Sequence, residues 1–447
     1  MAASPARTAA FDILLRVERE ASYASDLLHS RSYETLSTPD HGLATELVMG
    51  VLRWRSSLDD EIALASSQPL GKLDLEILTA LRLAIYQFRH LDRIPPRAAL
   101  HESVELVKRA RKRSAAPFVN AVLRKLSTRT GSFGPVSTNP RSAVDLASSL
   151  AHPRWLVERW CRDYGLDVAN QICRQDQSPP VSTIRLRTAA AESELASEGI
   201  GLLPGAFLTS ARRIHSGDVT RTKAFRQDRV VMQDEASQLV AALVSSNSDI
   251  LDCCAAPGGK TLAIADENRR ARITAIELHP HRARRMKKLF LSALGSPGIE
   301  VLVSDARQLP FSGQFDCILA DVPCSGTGTL ARNPEIKWRL GAEDLIELHD
   351  RQLAILRAAM AHLTRQGRLI YSTCSLEKEE NEDVVGQALA EQNAFHLLDC
   401  RPTLEHLKAK GKLSHLDPSQ LTRGPYLRTI PGVHPCDGFF AAILARG

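Results

Sequence analysis

Two kinds of apolar spacing divide this chain. From about residue 5 to 130, apolar positions recur every three or four residues. Ile77, Leu81, Ala84, Ile85 and Phe88 form one such series, and Leu100, Val104, Val107 and Ala110 another. That is one face of a 3.6-residue period, so the stretch predicts helices. Thr38-Pro39-Asp40 supplies start signals for a helix through Leu47, Val51 and Trp54, and Ile94-Pro95-Pro96 breaks the chain between two more. The expectation for residues 1–130 is a helical bundle of about six members.

Thr130–Pro140, with Gly131, Ser132, Gly134, Pro135, Ser137 and Asn139, has the composition of a linker. An aromatic helix over Trp155–Tyr164, a partly alternating run over Val181–Leu186 and a strand-rich stretch from Pro204 to Gln233 read as a small α+β element covering 145–235. From Asp249 onward the pattern changes again. Strand-like runs at Ile250–Cys253, Ile273–Ile276, Glu300–Val303, Phe315–Ala320 and Arg368–Tyr371 alternate with helical stretches, among them Leu345–Leu363. Phe395–Leu398 and Phe439–Leu444 would complete the sheet. This alternation predicts an α/β, Rossmann-like, doubly wound parallel sheet over 236–447.

Composition narrows the class. At 447 residues, 44% hydrophobic and 5% aromatic, the chain has the make-up of an ordinary soluble protein with two or three cores. No apolar stretch approaches the roughly 18 residues that cross a bilayer. Asp12 interrupts the only apolar run near the N-terminus, which argues against a secretory signal. The nine cysteines form no CxxC pair and no Cys/His array with zinc spacing, so neither a metal site nor a disulfide framework is expected. Reduced thiols in the cytoplasm are the simplest account, and a monomer is expected. The net charge of +6 is unevenly placed. Arg97–Arg129 holds nine Lys/Arg against two acids, and Arg282, Arg284, Arg285, Lys287 and Lys288 cluster after Glu277. Solvated helix faces are often basic, but two such clusters point to nucleic acid.

The chemistry sits at the ends of the predicted strands, where ligands bind in open α/β sheets. Asp321-Val322-Pro323-Cys324-Ser325-Gly326-Thr327-Gly328 closes one strand and Tyr371-Ser372-Thr373-Cys374-Ser375 another. A lone free cysteine is usually a small buried hydrophobe. Two delivered to the same sheet end suggest nucleophilic chemistry, because the thiolate is the strongest nucleophile a side chain offers near neutral pH. The loop Cys254-Ala255-Ala256-Pro257-Gly258-Gly259-Lys260-Thr261 ends like a P-loop. However, the first P-loop glycine would fall at Cys254, and Pro257 removes an amide from the phosphate cradle, so an NTPase is the weaker reading. Small residues there let a ligand approach the backbone, Glu277 stands where an acid takes ribose hydroxyls, and Asp305 and Asp321 end further strands. Three acids at strand tips suit a cationic, hydroxyl-bearing cofactor such as S-adenosylmethionine, although any one of them could be a helix cap.

These strings, with the acids Glu377, Glu379, Glu380 and Glu382 and the ending His434-Pro435-Cys436-Asp437-Gly438-Phe439-Phe440, resemble the RNA cytosine-C5 methyltransferases over about 235–447. The N-terminal helices, with Asp40-His41-Gly42 and Gly50-Val51-Leu52-Arg53, resemble the NusB RNA-binding domain. The fusion in this order resembles the bacterial 16S ribosomal RNA methyltransferase family called RsmB, also Sun or Fmu. The resemblance implies S-adenosylmethionine bound by Cys254–Lys260, Glu277, Asp305 and Asp321, with Lys260 helping to hold the loop or the substrate. It also implies 16S rRNA as partner, before or early in subunit assembly, with tRNA as the alternative substrate. Cys374 would attack cytosine C6, Cys324 would assist release and Asp321 would orient the base. In DNA cytosine methyltransferases the nucleophile instead sits in a Pro-Cys string like Pro323-Cys324. The family often has aspartate where Glu277 stands, and Cys253 receives no task. A non-catalytic RNA-binding regulator is the remaining rival.

Overall fold

The computed structural model describes residues 3–128, 140–244, 249–294, 298–414 and 417–447, so Arg129 and the expected linker up to Asn139 lie outside the described residues. The chain divides into two compact units, Met1–Pro179 with Leu330–Arg339, and Pro180–Thr329 with Leu340–Gly447. No described helix is long and apolar enough to cross a membrane.

The first unit is helical. Pro5–Glu20, Ala24–Leu28, Thr38–Ala65, Leu75–His90, Pro96–Arg109 and Ala116–Ser127 are the six α-helices of its first part. They close over a core that includes Phe11, Leu47, Leu52, Leu58, Leu81 and Ile85. Ser37 starts the long helix by accepting the Asp40 amide at 3.2 Å, with a proline in the first turn. Ala143–Ser149, Arg154–Tyr164 and Leu166–Asp176 follow. Acids answer part of the N-terminal basic cluster: Lys108 pairs with Glu105, Arg109 with Asp12 and Lys112 with Asp74.

Ten residues from far along the chain complete this unit, and no local pattern announces them. Within Leu330–Arg339, Arg53 donates to the Ala331 carbonyl at 3.0 Å and Glu335 accepts the Ala24 amide at 2.8 Å. Lys337 Nζ donates to the carbonyls of Arg53 and Ala151, each at 2.9 Å, and the Trp338 indole donates to Leu52 at 2.5 Å. Arg339 reaches the carbonyls of Val17 and Ser22, both at 2.6 Å. Lys337 and Glu335 are each 1% exposed, so these bonds replace water that neither group can reach.

The second unit holds two sheets. Strands β1 (Thr183–Leu186), β2 (Gly201–Pro204), β3 (Ala211–Ser216) and β4 (Val230–Met232) form an antiparallel sheet in the order β2-β3-β1-β4. The larger sheet is built from β5 (Asp249–Asp252), β6 (Arg272–Glu277), β7 (Ile299–Val303), β8 (Phe315–Asp321), β9 (Leu363–Thr373), β10 (Phe395–Leu398), β11 (Thr422–Arg423), β12 (Tyr426–Arg428) and β13 (Phe440–Arg446). Its path runs β11-β12-β13-β9-β8-β5-β6-β7, with β10 beside β13. The five central strands β9-β8-β5-β6-β7 are parallel, joined by helices such as Gly259–Glu267, Pro280–Leu294 and Asp344–Ala361. The C-terminal strands complete the sheet but run antiparallel, so it is mixed rather than parallel throughout. Periodicity finds a strand without fixing its direction.

Candidate active site

Parallel pairing of β8 with β9 sets Asp321 beside Ser372, so the strings that follow leave the sheet at the same end. The two thiols meet there: Cys324 Sγ and Cys374 Sγ are 3.3 Å apart, and the Cys374 amide donates to Cys324 Sγ at 3.3 Å. Asp321 lies next to them. Its Oδ1 accepts the Ser372 hydroxyl at 3.0 Å and its Oδ2 pairs with Lys260 Nζ at 2.9 Å. Lys260, from the first residues of its helix, lies 4.9 Å from the centre of the Phe439 ring. Thus the loop after β5, both cysteine strings and the C-terminal string converge.

Backbone contact locks this convergence. The Gly328 amide donates to the Cys374 carbonyl at 2.9 Å, and the Gly438 amide to the Gly328 carbonyl at 2.8 Å. A Cβ at Gly328 would sit 2.2 Å from the Gly438 oxygen, so no larger residue fits.

Electrostatics separates the charged groups. The Cys324 thiol is held well above the ordinary range by its bond to Cys374, by burial and by the nearby Glu380 carboxylate. Burial and the neighbouring Cys253 likewise push Cys254 well up, which makes it a lining group rather than a nucleophile. Burial lowers the Lys260 ammonium, but the Asp321 carboxylate outweighs burial and carries it above the usual lysine value. Asp252, at the tip of β5, is pushed up to about 7 by burial, against the lowering bond from Thr261, with Asp321 raising it further.

A cofactor of the adenosine type fits the neighbouring strand tips. Gly258 has φ of 107°, a left-handed conformation that suits glycine, at the turn from the loop into the Gly259–Glu267 helix. Glu277 ends β6 at 5% exposure, with one oxygen holding the His279 amide at 2.8 Å and the other 3.8 Å from Arg282. That acid has oxygens to offer diol hydroxyls. Asp305, two residues past β7, is bonded by Arg307 through both its oxygens, which holds its carboxyl below the usual range. Arg307 would have to give way for Asp305 to serve a ligand. Ala255, Ala256, Pro257 and Gly259 line the same loop and leave room for close approach. Among the described residues, no cluster that could hold a metal ion is found.

Sequence reasoning missed two residues here. Asp252 fell inside the strand-like run Ile250–Cys253 and received no role, although a carboxylate closing a buried strand was a usable signal. Glu380 was one of a run of acids, yet it is 0% exposed and bonded to both cysteine strings.

Comparison with known proteins gives three family matches: NusB family over residues 4–128, an RsmF/B-like ferredoxin-like domain over 152–217, and 16S rRNA methyltransferase RsmB/F over 240–445. The chain is 36% identical to the probable ribosomal RNA small subunit methyltransferase B of Bacillus subtilis, with 98% of each chain covered. It is 30% identical to the probable ribosomal RNA small subunit methyltransferase B of Synechocystis, with 99% of each covered. The solved structure of PH0851 shares the fold at a TM-score of 0.80, with 22% identity and all of both chains covered.

Proposed function

The chain belongs to the family of ribosomal RNA small subunit methyltransferases B, and we propose that it methylates C5 of a cytosine in 16S rRNA through a covalent Cys374–C6 intermediate. As a member it is an rRNA methyltransferase. The observation that carries the finer reading is the pair of thiols 3.3 Å apart, one from each of two neighbouring strand ends, beside the Asp321–Lys260 pair.

The chemistry requires one thiol nucleophile and one group that assists elimination, and such a pair can supply both. Cytosine C5 is a poor nucleophile until a thiolate adds to C6 and turns the ring into an enamine. S-adenosylmethionine, when bound, would supply C5 with a methyl group from its sulfonium sulfur, which would leave as a neutral thioether, and Glu277, Asp305 and the Cys254–Lys260 loop would hold it. Cys374, its proton lost to solvent, forms the S–C6 bond as a thiolate while Cys324 keeps its proton. Closing that bond removes the Cys374 charge and acceptor, which together with burial and Glu380 hold the Cys324 proton in place. Once Cys324 has given its own proton to solvent, its thiolate takes the proton from C5 and returns to the thiol. Loss of that proton and rupture of the S–C6 bond restore the aromatic ring and Cys374. Asp321, braced by Ser372 and Lys260, accepts a hydrogen bond from the base's exocyclic amine and fixes its orientation in this reading.

The base must be unstacked for attack, at a cost of a few kcal/mol that is least in single-stranded or loop RNA. Bisulfite sequencing of unmodified 16S rRNA after incubation with the protein and S-adenosylmethionine tests the proposal. One protected cytosine, absent with the Cys374→Ala variant, is expected. Methylation confined to tRNA, or at another base atom, would overturn it.

A further inference from the structure

Glu380 is the most buried acid at the thiol site, and no step of the proposed reaction uses it. Its Oε1 accepts the Ser325 amide and the Gln352 amide group, each at 2.8 Å. Its Oε2 accepts the Ser375 hydroxyl at 2.5 Å and also the Ser325 hydroxyl. Ser325 follows Cys324 and Ser375 follows Cys374, so one rigid carboxylate holds both strings one residue beyond each thiol. Gln352, which is also 0% exposed, binds the Pro323 carbonyl at 2.9 Å on the other side of Cys324. Asn381 donates to the Ser375 carbonyl at 2.9 Å. The Tyr371 hydroxyl donates to the Glu380 carbonyl at 2.6 Å and fixes the acid's own backbone.

Burying a carboxylate away from water is costly, and a site that needed only packing would use an apolar residue. Here every donor that Glu380 attracts belongs to a cysteine string or to the residue bracing one. We propose that Glu380 is a positioning residue that holds Cys324 and Cys374 in register for attack and release. The inference rests on the covalent reading above for its catalytic consequence, but its geometric content stands apart from it.

The test uses the full chain and two readouts. The first is binding of phenylarsine oxide, which bridges two close thiols, counting only the component that vanishes in Cys324→Ser. The second is the single-turnover rate of RNA adduct formation with S-adenosylmethionine. Glu380→Ala should weaken arsenical binding about tenfold or more, as expected where buried donors lose their acceptor. It should slow adduct formation by at least a similar factor, with S-adenosylmethionine affinity unchanged. Glu380→Gln, which keeps an acceptor and the shape, should recover most of both. Should Glu380→Ala not fold, Ser325→Ala combined with Ser375→Ala removes the two hydroxyl links and should give the same losses. A variant that only melts earlier, with wild-type arsenical affinity and adduct rate, would overturn the proposal. Weakened arsenical binding with no adduct in any variant, Cys324→Ala included, would support the clamp and remove the covalent reading instead.

Discussion

Replacing Lys337 by methionine isolates the charge buried in the segment that follows the Cys324 string. Burial lowers the Lys337 ammonium from 10.5 to about 7, with Asp176 and Cys173 opposing and Arg53 adding to the shift. The unfolded chain therefore binds more protons than the folded one between those values, so stability must rise with pH across that window. Integrating over these two pKa values, the helical unit gains about 1.6 kcal/mol between roughly pH 7 and pH 8.5 from this group alone. The four tryptophans, Trp54, Trp155, Trp160 and Trp338, all lie in that unit, so fluorescence during urea unfolding reports on it selectively. Other groups titrate as well, and those that do not feel the Lys337 charge cancel in the difference between wild type and Lys337→Met, leaving Lys337 and its coupled neighbours His152, Cys173, Asp176 and Arg53. The wild type should stabilise by about 1.6 kcal/mol more than the variant over this range. The variant also takes the lysine donor from the Ala151 carbonyl, at about 1–3 kcal/mol, and one donor from the Arg53 carbonyl, which keeps Gln177 at 3.0 Å; both lower its stability. Equal slopes in the two proteins would refute the assignment of a buried, titrating lysine.

Glu277→Ala should weaken S-adenosylmethionine binding by about 1.5–3 kcal/mol, the range for a hydrogen bond to a charged group, with RNA affinity unaffected; calorimetry giving wild-type affinity would remove Glu277 from the cofactor site. Deleting residues 1–128 takes away the partners of Glu335, Trp338 and Arg339 and one of the two carbonyls that hold Lys337. Trypsin should then cut after Lys337 or Arg339 in the truncated chain and spare both in the intact one, and equal resistance would contradict the seating described above. Full-length RNA binding should fall with salt by about 0.7 log units per log unit for each single-strand phosphate contact. A salt-independent affinity would deny the basic clusters a phosphate role.

Much of the site was legible because its residues are local to strand ends. The parallel core could be read from apolar runs that each close on an acid or a cysteine, and Asp321, Cys324, Lys260 and Cys374 do converge. Three features were not legible, each for a physical reason. The direction of β13 depends on its pairing with β9, and alternation carries no sign of direction. The seating of Leu330–Arg339 rests on bonds such as Lys337 to Arg53, 284 positions apart, which no window along the chain can contain. Glu380 could not be told from Glu377, Glu379 and Glu382 by type, since its distinction lies in the hydroxyls and amides that its carboxylate meets. Asp305 shows the converse: its place at a strand end was foreseen, but the neighbour Arg307 that occupies it was not.

The central claim is the division of labour between the two thiols, and one denaturing gel tests it. Cys324→Ala and Cys374→Ala are incubated separately with S-adenosylmethionine and unmodified 16S rRNA, then resolved under denaturing conditions. With Cys374 as nucleophile and Cys324 as the group that allows release, Cys324→Ala should accumulate a stable protein–RNA adduct and Cys374→Ala should form none. An adduct seen only with Cys374→Ala would reverse the assignment, and no adduct with either variant would contradict the covalent mechanism.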